Sequence, residues 1–279
     1  MLDDGSVPPG QPTAPSTTQP VGNVPFADRI NTLSSADPWL WLAAGWRDLM
    51  AAPVYSLSIG ALFSGLGLAV TAGLYYLGVP YMIWPMAAGF ILIAPLFCTG
   101  FYAISRALEQ GRKPTFGDVC FICQGKSVGV LGAGTALVFF MLIWIRMAAL
   151  IYAINFPYTS LSVRQIALDT LFTTDGIVFI SVGTTIGGVL AFFAFLVSAV
   201  SLQTIVDGKA GFIPAILISV LSVYRNFIPM MVWAAIIVLF MTAGFALAYV
   251  GLVITLPLIG HASWHAYRAT VRSPDVDAA

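Results

Sequence analysis

The chain has 279 residues, of which 59% are hydrophobic and only 9% charged, with a mean hydropathy of +0.91 and a formal net charge of zero. Charged residues make up about 25% of an ordinary soluble domain, so a soluble globular fold is excluded and an all-α polytopic membrane protein is expected. With no basic excess there is no case for a nucleic-acid partner, and the lipid bilayer is the partner that composition implies.

Residues 1–35 are rich in Pro, Ser, Thr and Gln and have little to bury, which predicts a disordered tail. They lack the basic start and apolar core of a cleavable signal peptide. The stretch DPWLWLAAGWRDLMAAP follows. Its Trp39, Leu42, Trp46 and Leu49 recur at helical spacing, as in a helix lying in the membrane interface. Apolar runs, uncharged save for Arg146, then recur at 54–78, 82–105, 127–154, 177–205 and 227–267. A hydrocarbon core of roughly 30 Å needs about 20 helical residues, and the last run is about twice that length. It is therefore expected to hold two spans, making six.

Ten of the twelve basic residues fall on one side of these spans: Arg29, Arg47, Arg106, Arg112, Lys113, Lys126, Lys209, Arg225, Arg268 and Arg272. Arg164 falls on the other side, and Arg146 within a span. By the positive-inside rule this predicts that both termini are cytoplasmic and that the number of spans is even, which fits six and not five. Cys98, Cys120 and Cys123 then lie at or near the reducing side and are expected to be free thiols.

Three segments share one plan of a short amphipathic stretch, a helix breaker and an apolar hairpin. Pro38 to Pro53, Pro114 to Gly129 and Pro214 to Pro229 each span fifteen residues. The second carries a capping-box pattern from Thr115 to Asp118, and the third a stripe of Ile216, Val220 and Val223. GFILIAPLFCTGFYAISR aligns with GLVITLPLIGHASWHAYR, setting Gly89 on Gly251, Pro95 on Pro257, Tyr102 on Trp264 and Arg106 on Arg268. The expected domain is thus 36–272, in three repeats at about 37–110, 114–209 and 211–270, followed by a short tail at 273–279. Ser56, Gly60 and Ser64 form a small-residue stripe, and Gly183 and Gly187 a GxxxG. Such stripes let helix backbones approach closely, within the chain or against a partner or second copy.

Both histidines sit in LPLIGHASWHAYR. His261 and His265 share a helix face, so they cannot bind opposite faces of one haem. With Cys120 and Cys123 they would make up the four ligands of a cytoplasmic-face zinc or redox site. The competing reading places Trp264, Tyr267 and Arg268, with Trp39 and Trp46, in the belt where helices leave the bilayer. Arg146, a charge inside a span, either snorkels to the far face or lines a polar path with Asp169 or Asp175. Pro95 and Pro257 would free backbone carbonyls for such a path. The loop between the third and fourth spans has a weak amphipathic pattern in Ile166, Leu171 and Phe172. No Walker A loop, nucleophile elbow or H-E-x-x-H is present, so neither enzyme activity nor a cofactor is expected.

The motifs DPWLWLAAGWRDL, AAGFILIAPLFCTGFYAISRALEQGRKPTFGD and LPLIGHASWHAYR resemble the proteobacterial inner-membrane family called domain of unknown function 2189, over about residues 35–272. The family has no assigned activity. Some members are labelled cytochrome c oxidase subunit I-like. A catalytic subunit of that kind needs at least six metal-binding histidines, and this chain has two. The resemblance therefore implies an accessory, assembly or scaffold protein of another membrane complex, with a respiratory oxidase as the candidate. The alternatives are a small-solute or ion carrier with its path between the repeats, and the metal or redox site above.

Overall fold

The computed structural model describes residues 26–119, 127–155 and 173–272. Residues 1–25 and 273–279, Cys120, Cys123, Asp169 and the stretch with Ile166, Leu171 and Phe172 lie outside it. Eleven α-helices follow one another in the described residues: α1 Asp37–Ala51, α2 Pro53–Tyr76, α3 Ile83–Phe97, α4 Thr99–Glu109, α5 Phe116–Val119, α6 Ser127–Asn155, α7 Thr174–Ser198, α8 Ser201–Asp207, α9 Phe212–Arg225, α10 Phe227–Ala246 and α11 Leu252–Thr270. This is an all-α polytopic membrane protein. Among the described residues five stretches are long and apolar enough to cross a bilayer: Pro53–Tyr76, Pro80–Glu109, Val128–Asn155, Gly176–Asp207 and Phe227–Ala246.

Local chemistry sets the boundaries. Pro53 cannot continue α1 but suits the first position of α2, and it turns the interface helix into a span. Thr115 and Asp118 form the expected box at α5, with Thr115 N–H donating to Asp118 Oδ2 at 2.8 Å and Asp118 N–H to Thr115 Oγ1 at 3.4 Å. Thr173 caps α7 by accepting from Gly176 N–H at 3.0 Å. Gly208, at φ 76°, ends α8 in the left-handed conformation that a helix C-terminus favours in glycine. Pro95 does not interrupt its span: Cys98 N–H reaches Ala94 O at 2.9 Å and Tyr102 N–H reaches Cys98 O at 3.1 Å, carrying the hydrogen bonding from α3 into α4.

The organising element is α11, which is buried on nearly every side from Leu256 to Tyr267. A helix surrounded by protein belongs to the core, and α1, α2, α4 and α10 all pack on it. Three glycines allow the approach. A Cβ on Gly45 would lie 2.6 Å from Ala262 N, one on Gly60 2.5 Å from Val253 O, and one on Gly260 2.5 Å from the Phe101 ring. Val253 O is the carbonyl four residues before Pro257, so the acceptor that Pro257 leaves without its helical partner meets the α2 backbone. On the other side of the bundle Trp144 of α6 donates to Pro85 O at 2.7 Å and lies 2.8 Å from where a Gly187 Cβ would stand, tying α3, α6 and α7 together.

Several sequence expectations shift. Residues 26–34 belong to the folded part of the chain, not to a disordered tail. Ile30 bridges Val271, Leu33 N–H donates to Asn226 Oδ1 at 2.8 Å, and the Asn31 side chain donates to Ala269 O at 2.8 Å, so side chains on both sides fasten residues 26–34 to the bundle as a strap. Trp264 and Tyr267 are not belt residues: they are 0% and 1% exposed, because α11 is central and not peripheral. Arg268 is only part exposed and is ion-paired. Trp39 and Trp46 do face outward from α1, at 58% and 46% exposure, while Trp41 turns in and meets Trp233 edge to face at 5.6 Å. On α9 the buried face is Ala215, Ile218, Ser219, Ser222 and Val223. Val220 is exposed, so the expected stripe is rotated.

Candidate functional site

The ends of α4, α8 and α11 converge with the start of α2 and the inner face of α1. Into this junction five helices bring polar side chains on otherwise apolar faces. His261, wholly buried, lies between two serines, with Nε2 at 2.9 Å from Ser56 Oγ and Nδ1 at 2.8 Å from Ser105 Oγ. The Phe101 ring packs against its edge at 5.3 Å. Ser56 donates its proton to Ala52 O at 2.8 Å, so the Ser56 oxygen is left to accept from Nε2–H. In the neutral tautomer Nδ1 then accepts from Ser105.

One turn further along α11, His265 Nε2 meets Asp48 Oδ2 of α1 at 2.8 Å. Burial raises the Asp48 pKa, but hydrogen bonds from His265 and Ser105, with the charges of the two histidines, outweigh it and hold the carboxyl below its ordinary range. Ser105 therefore has one proton for two acceptors, His261 Nδ1 and the Asp48 carboxylate. With Asp48 ionised, satisfying every bond from Ala52 to Asp48 takes one proton more than Ser56, neutral His261 and Ser105 hold. The junction is a place where a proton can be shared.

Beside it lies a cluster of charges. Asp207, at the end of α8, pairs with Arg106 of α4 at 3.3 Å and Arg268 of α11 at 3.6 Å, and accepts from Tyr267 at 2.8 Å. Glu109 of α4 accepts from Arg268 at 2.9 Å and from Trp264 Nε1 at 3.1 Å. Arg106 and Arg268, aligned by sequence, thus share one carboxylate.

Of the residues singled out from sequence, Ser56, Gly60 and Ser64 are brought together as the buried seam of α2 on α11, and Ser64 donates to Tyr249 O at 2.9 Å. Gly187 packs under Trp144, but a Cβ on Gly183 would meet nothing within 4 Å, so the GxxxG is not a seam within the chain. His261 and His265 face different partners. Both nitrogens of His261 are taken by serines, and among the described residues no group of three or more His, Cys, Asp or Glu is placed to hold a metal. Arg146 is exposed on the outside of α6.

An apolar cleft of about 270 Å³ lies between α2 and α3, lined by Phe63, Gly67, Met86, Phe90 and Tyr249 among others, and neither Arg146, Pro95 nor Pro257 lines it. Asp48, Ser105, Glu109 and Asp207 did not stand out in the sequence. Their one signal is that Ser105 and Glu109 flank Arg106 at the end of a span.

Among known proteins, residues 83–207 match the model of a family described as predicted integral membrane protein (DUF2189). That match is narrower than the resemblance read from the motifs, running from α3 to the end of α8. It takes in Ser105, Arg106, Glu109 and Asp207 but neither histidine. No curated protein and no solved structure matches the chain. The segment from α3 through α8 carries the DUF2189 region, and the chain is an integral membrane protein.

Proposed function

We propose that this protein is a non-enzymatic accessory, assembly or scaffold subunit of another membrane complex, held in an inner membrane with both termini cytoplasmic. A respiratory oxidase is the first complex to test. The observation that carries this reading is that the histidines and carboxylates of the junction are committed to neighbouring side chains. His261 is closed between Ser56 and Ser105, His265 is taken by Asp48, and Asp207 and Glu109 are taken by Arg106, Arg268, Tyr267 and Trp264. A carrier needs polar groups that face a path. Here the cleft is apolar and Arg146 faces outward.

The surface offered to a partner is the outer face of α7, where Ser181, Thr184, Thr185 and Gly188 are exposed at helical spacing. Small residues in this arrangement let a second helix approach closely. A Cβ on Gly188 meets nothing within 4 Å, so Gly188→Leu leaves the fold alone and blocks such an approach. Affinity isolation from native membranes in mild detergent should give a stoichiometric membrane protein with the wild type and lose it with Gly188→Leu. A solitary protein would count against the accessory role. Liposome flux that is abolished in folded Arg146→Ala and Pro95→Ala variants would put a carrier in its place.

A further inference from the structure

The cleft between α2 and α3 carries a second site. It runs from Leu74 to Phe63 on α2, eleven residues and so about 16 Å along the helix axis, which makes it long and narrow. Its walls are α2 and α3, and its floor is Met141, Phe245, Tyr249 and Leu252. Leu66 and Val70 on its rim are 50% and 45% exposed, so it is open to whatever surrounds the spans. In a bilayer that is acyl chain.

At one end of this apolar cleft stands a single pair of hydroxyls. Thr71 Oγ1 and Tyr249 OH are 2.7 Å apart. Two hydroxyls bring two protons, and their mutual bond uses one. Neither makes another hydrogen bond among the described residues. With Thr71 donating, the Tyr249 proton is left without an acceptor in an apolar surround, where an unpaired donor is unfavourable.

Tyr249 is held there by construction. Ala248 and Tyr249 have φ of 51° and 66°, successive left-handed residues without glycine, a strained turn that persists only when its surroundings fix it. The Tyr249 carbonyl accepts from Ser64 at 2.9 Å. Its ring lies so close to Gly67 that a Cβ there would stand 2.5 Å from Cδ1.

The depth of the pair points to the ligand. Thr71 is five residues from the end of α2, about 8 Å along the axis, on the membrane face away from the strap and α11's last turn. A helix of 24 residues is about 36 Å long against a hydrocarbon core of roughly 30 Å, so the hydroxyls lie just inside the hydrocarbon edge. There the ester carbonyls of phospholipids meet their chains.

We infer that the α2–α3 cleft binds one acyl chain of a bilayer phospholipid, with the chain lying along α2 and its ester carbonyl accepting the Tyr249 proton.

The test is lipid retention by the full chain, purified in mild detergent, exchanged through lipid-free micelles and weighed intact by native mass spectrometry. Diester and diether phosphatidylethanolamines of equal chain length, offered in equal amounts, are the probes. Wild type should keep one phospholipid per chain and favour the diester several-fold, because the ether oxygen is a poorer acceptor. Tyr249→Phe keeps the ring on Gly67 and should erase that preference. Ala87→Phe fills the cleft and should abolish retention. Wild-type protein that holds no phospholipid, shows no ester preference, or carries a bound molecule of another class such as an isoprenoid quinone would overturn the inference. The ester comparison on wild type stands whether or not either variant folds.

Discussion

Ser56, near the start of α2, and Thr71, near its end, both turn a hydroxyl into the bundle, and their surroundings have opposite character. Around Ser56 each polar atom has a partner on a different helix: α2 with α11 through His261, α11 with α4 through Ser105, and α11 with α1 through His265 and Asp48. Around Thr71 there is one hydrogen bond, one surplus proton and a cleft. The first region is closed by side chains spread along the whole sequence and acts as a clamp. The second is left open to the membrane. Proteins keep local structure of low stability where they bind things, and the difference between the two ends of α2 separates the part that holds the fold from the part that meets a ligand.

The largest effect that bears on this contrast should come from the clamp. Gly45→Val puts a branched side chain where even a Cβ would be 2.6 Å from the Ala262 backbone nitrogen, and a backbone cannot turn aside as a flexible side chain can. Overpacking of this kind should cost about 3 kcal/mol or more, read as a loss of folded protein or an early transition in mixed-micelle unfolding. Gly183→Leu, at a position where a Cβ meets nothing within 4 Å, should leave the same curve unmoved. If both behave alike, α11 is not the central post described above.

Next in size is His261→Leu. It leaves Ser105 and Ser56 each without a ring nitrogen, and membrane-buried hydrogen bonds of this kind contribute about 0.6 kcal/mol on average and up to about 1.7. Adding the lost fit of a buried ring, the variant should lose about 2–3 kcal/mol. Ser56→Ala made in the His261→Leu background should cost clearly less than in wild type, since the two share one bond. Full additivity would mean that the serine and histidine do not interact.

The sequence made the class of fold readable and left the clamp hidden, for a physical reason. Uncharged runs of span length mark a membrane protein whatever the packing, because the bilayer imposes the length. The small-residue stripe of Ser56, Gly60 and Ser64 was legible too, since close approach requires small residues. What α11 does was not legible. The Gly-His-x-x-Trp-His pattern reads equally well as an interface belt or as a core, and only the presence of α1 and α4 on both sides decides it. Asp48 and Ser105 lie 57 residues apart and meet only through tertiary packing. No local pattern reports that. The cleft was invisible for a similar reason, since an apolar residue facing a cavity and one facing a neighbour look the same in sequence.

The clamp should also be sensitive to acid. Because the folded Asp48 carboxyl titrates below its ordinary value, its contribution to stability is fully present above the unfolded value near 3.9 and is lost as pH falls through the folded one. Unfolding midpoints measured from pH 7 down through pH 3 should drop below about pH 4 in wild type. Asp48→Asn keeps an acceptor for His265 but has no titration, so its curve should lack that component. Superimposable slopes for the two proteins would remove Asp48 from the clamp.

The smallest effect should lie at the other end of α2, and it is the one that separates the two regions most sharply. Thr71→Val removes one hydroxyl and keeps the shape of the side chain. Its partner Tyr249 already has a donor proton without an acceptor among the described residues, so the mutation takes away one bond and leaves only a weakly accepting phenol oxygen without its donor, where Ser56→Ala strands the Nε2–H of a buried histidine. A loss of about 0.6 kcal/mol or less is expected for Thr71→Val, against a larger loss for Ser56→Ala, both measured by unfolding in the same micelles. Equal losses would mean that the hydroxyl pair at Tyr249 is as much a part of the scaffold as the histidine clamp. A gain for Thr71→Val in lipid-free micelles, reversed when phospholipid is restored, would show that the cleft end of α2 is shaped for a ligand and not for the fold.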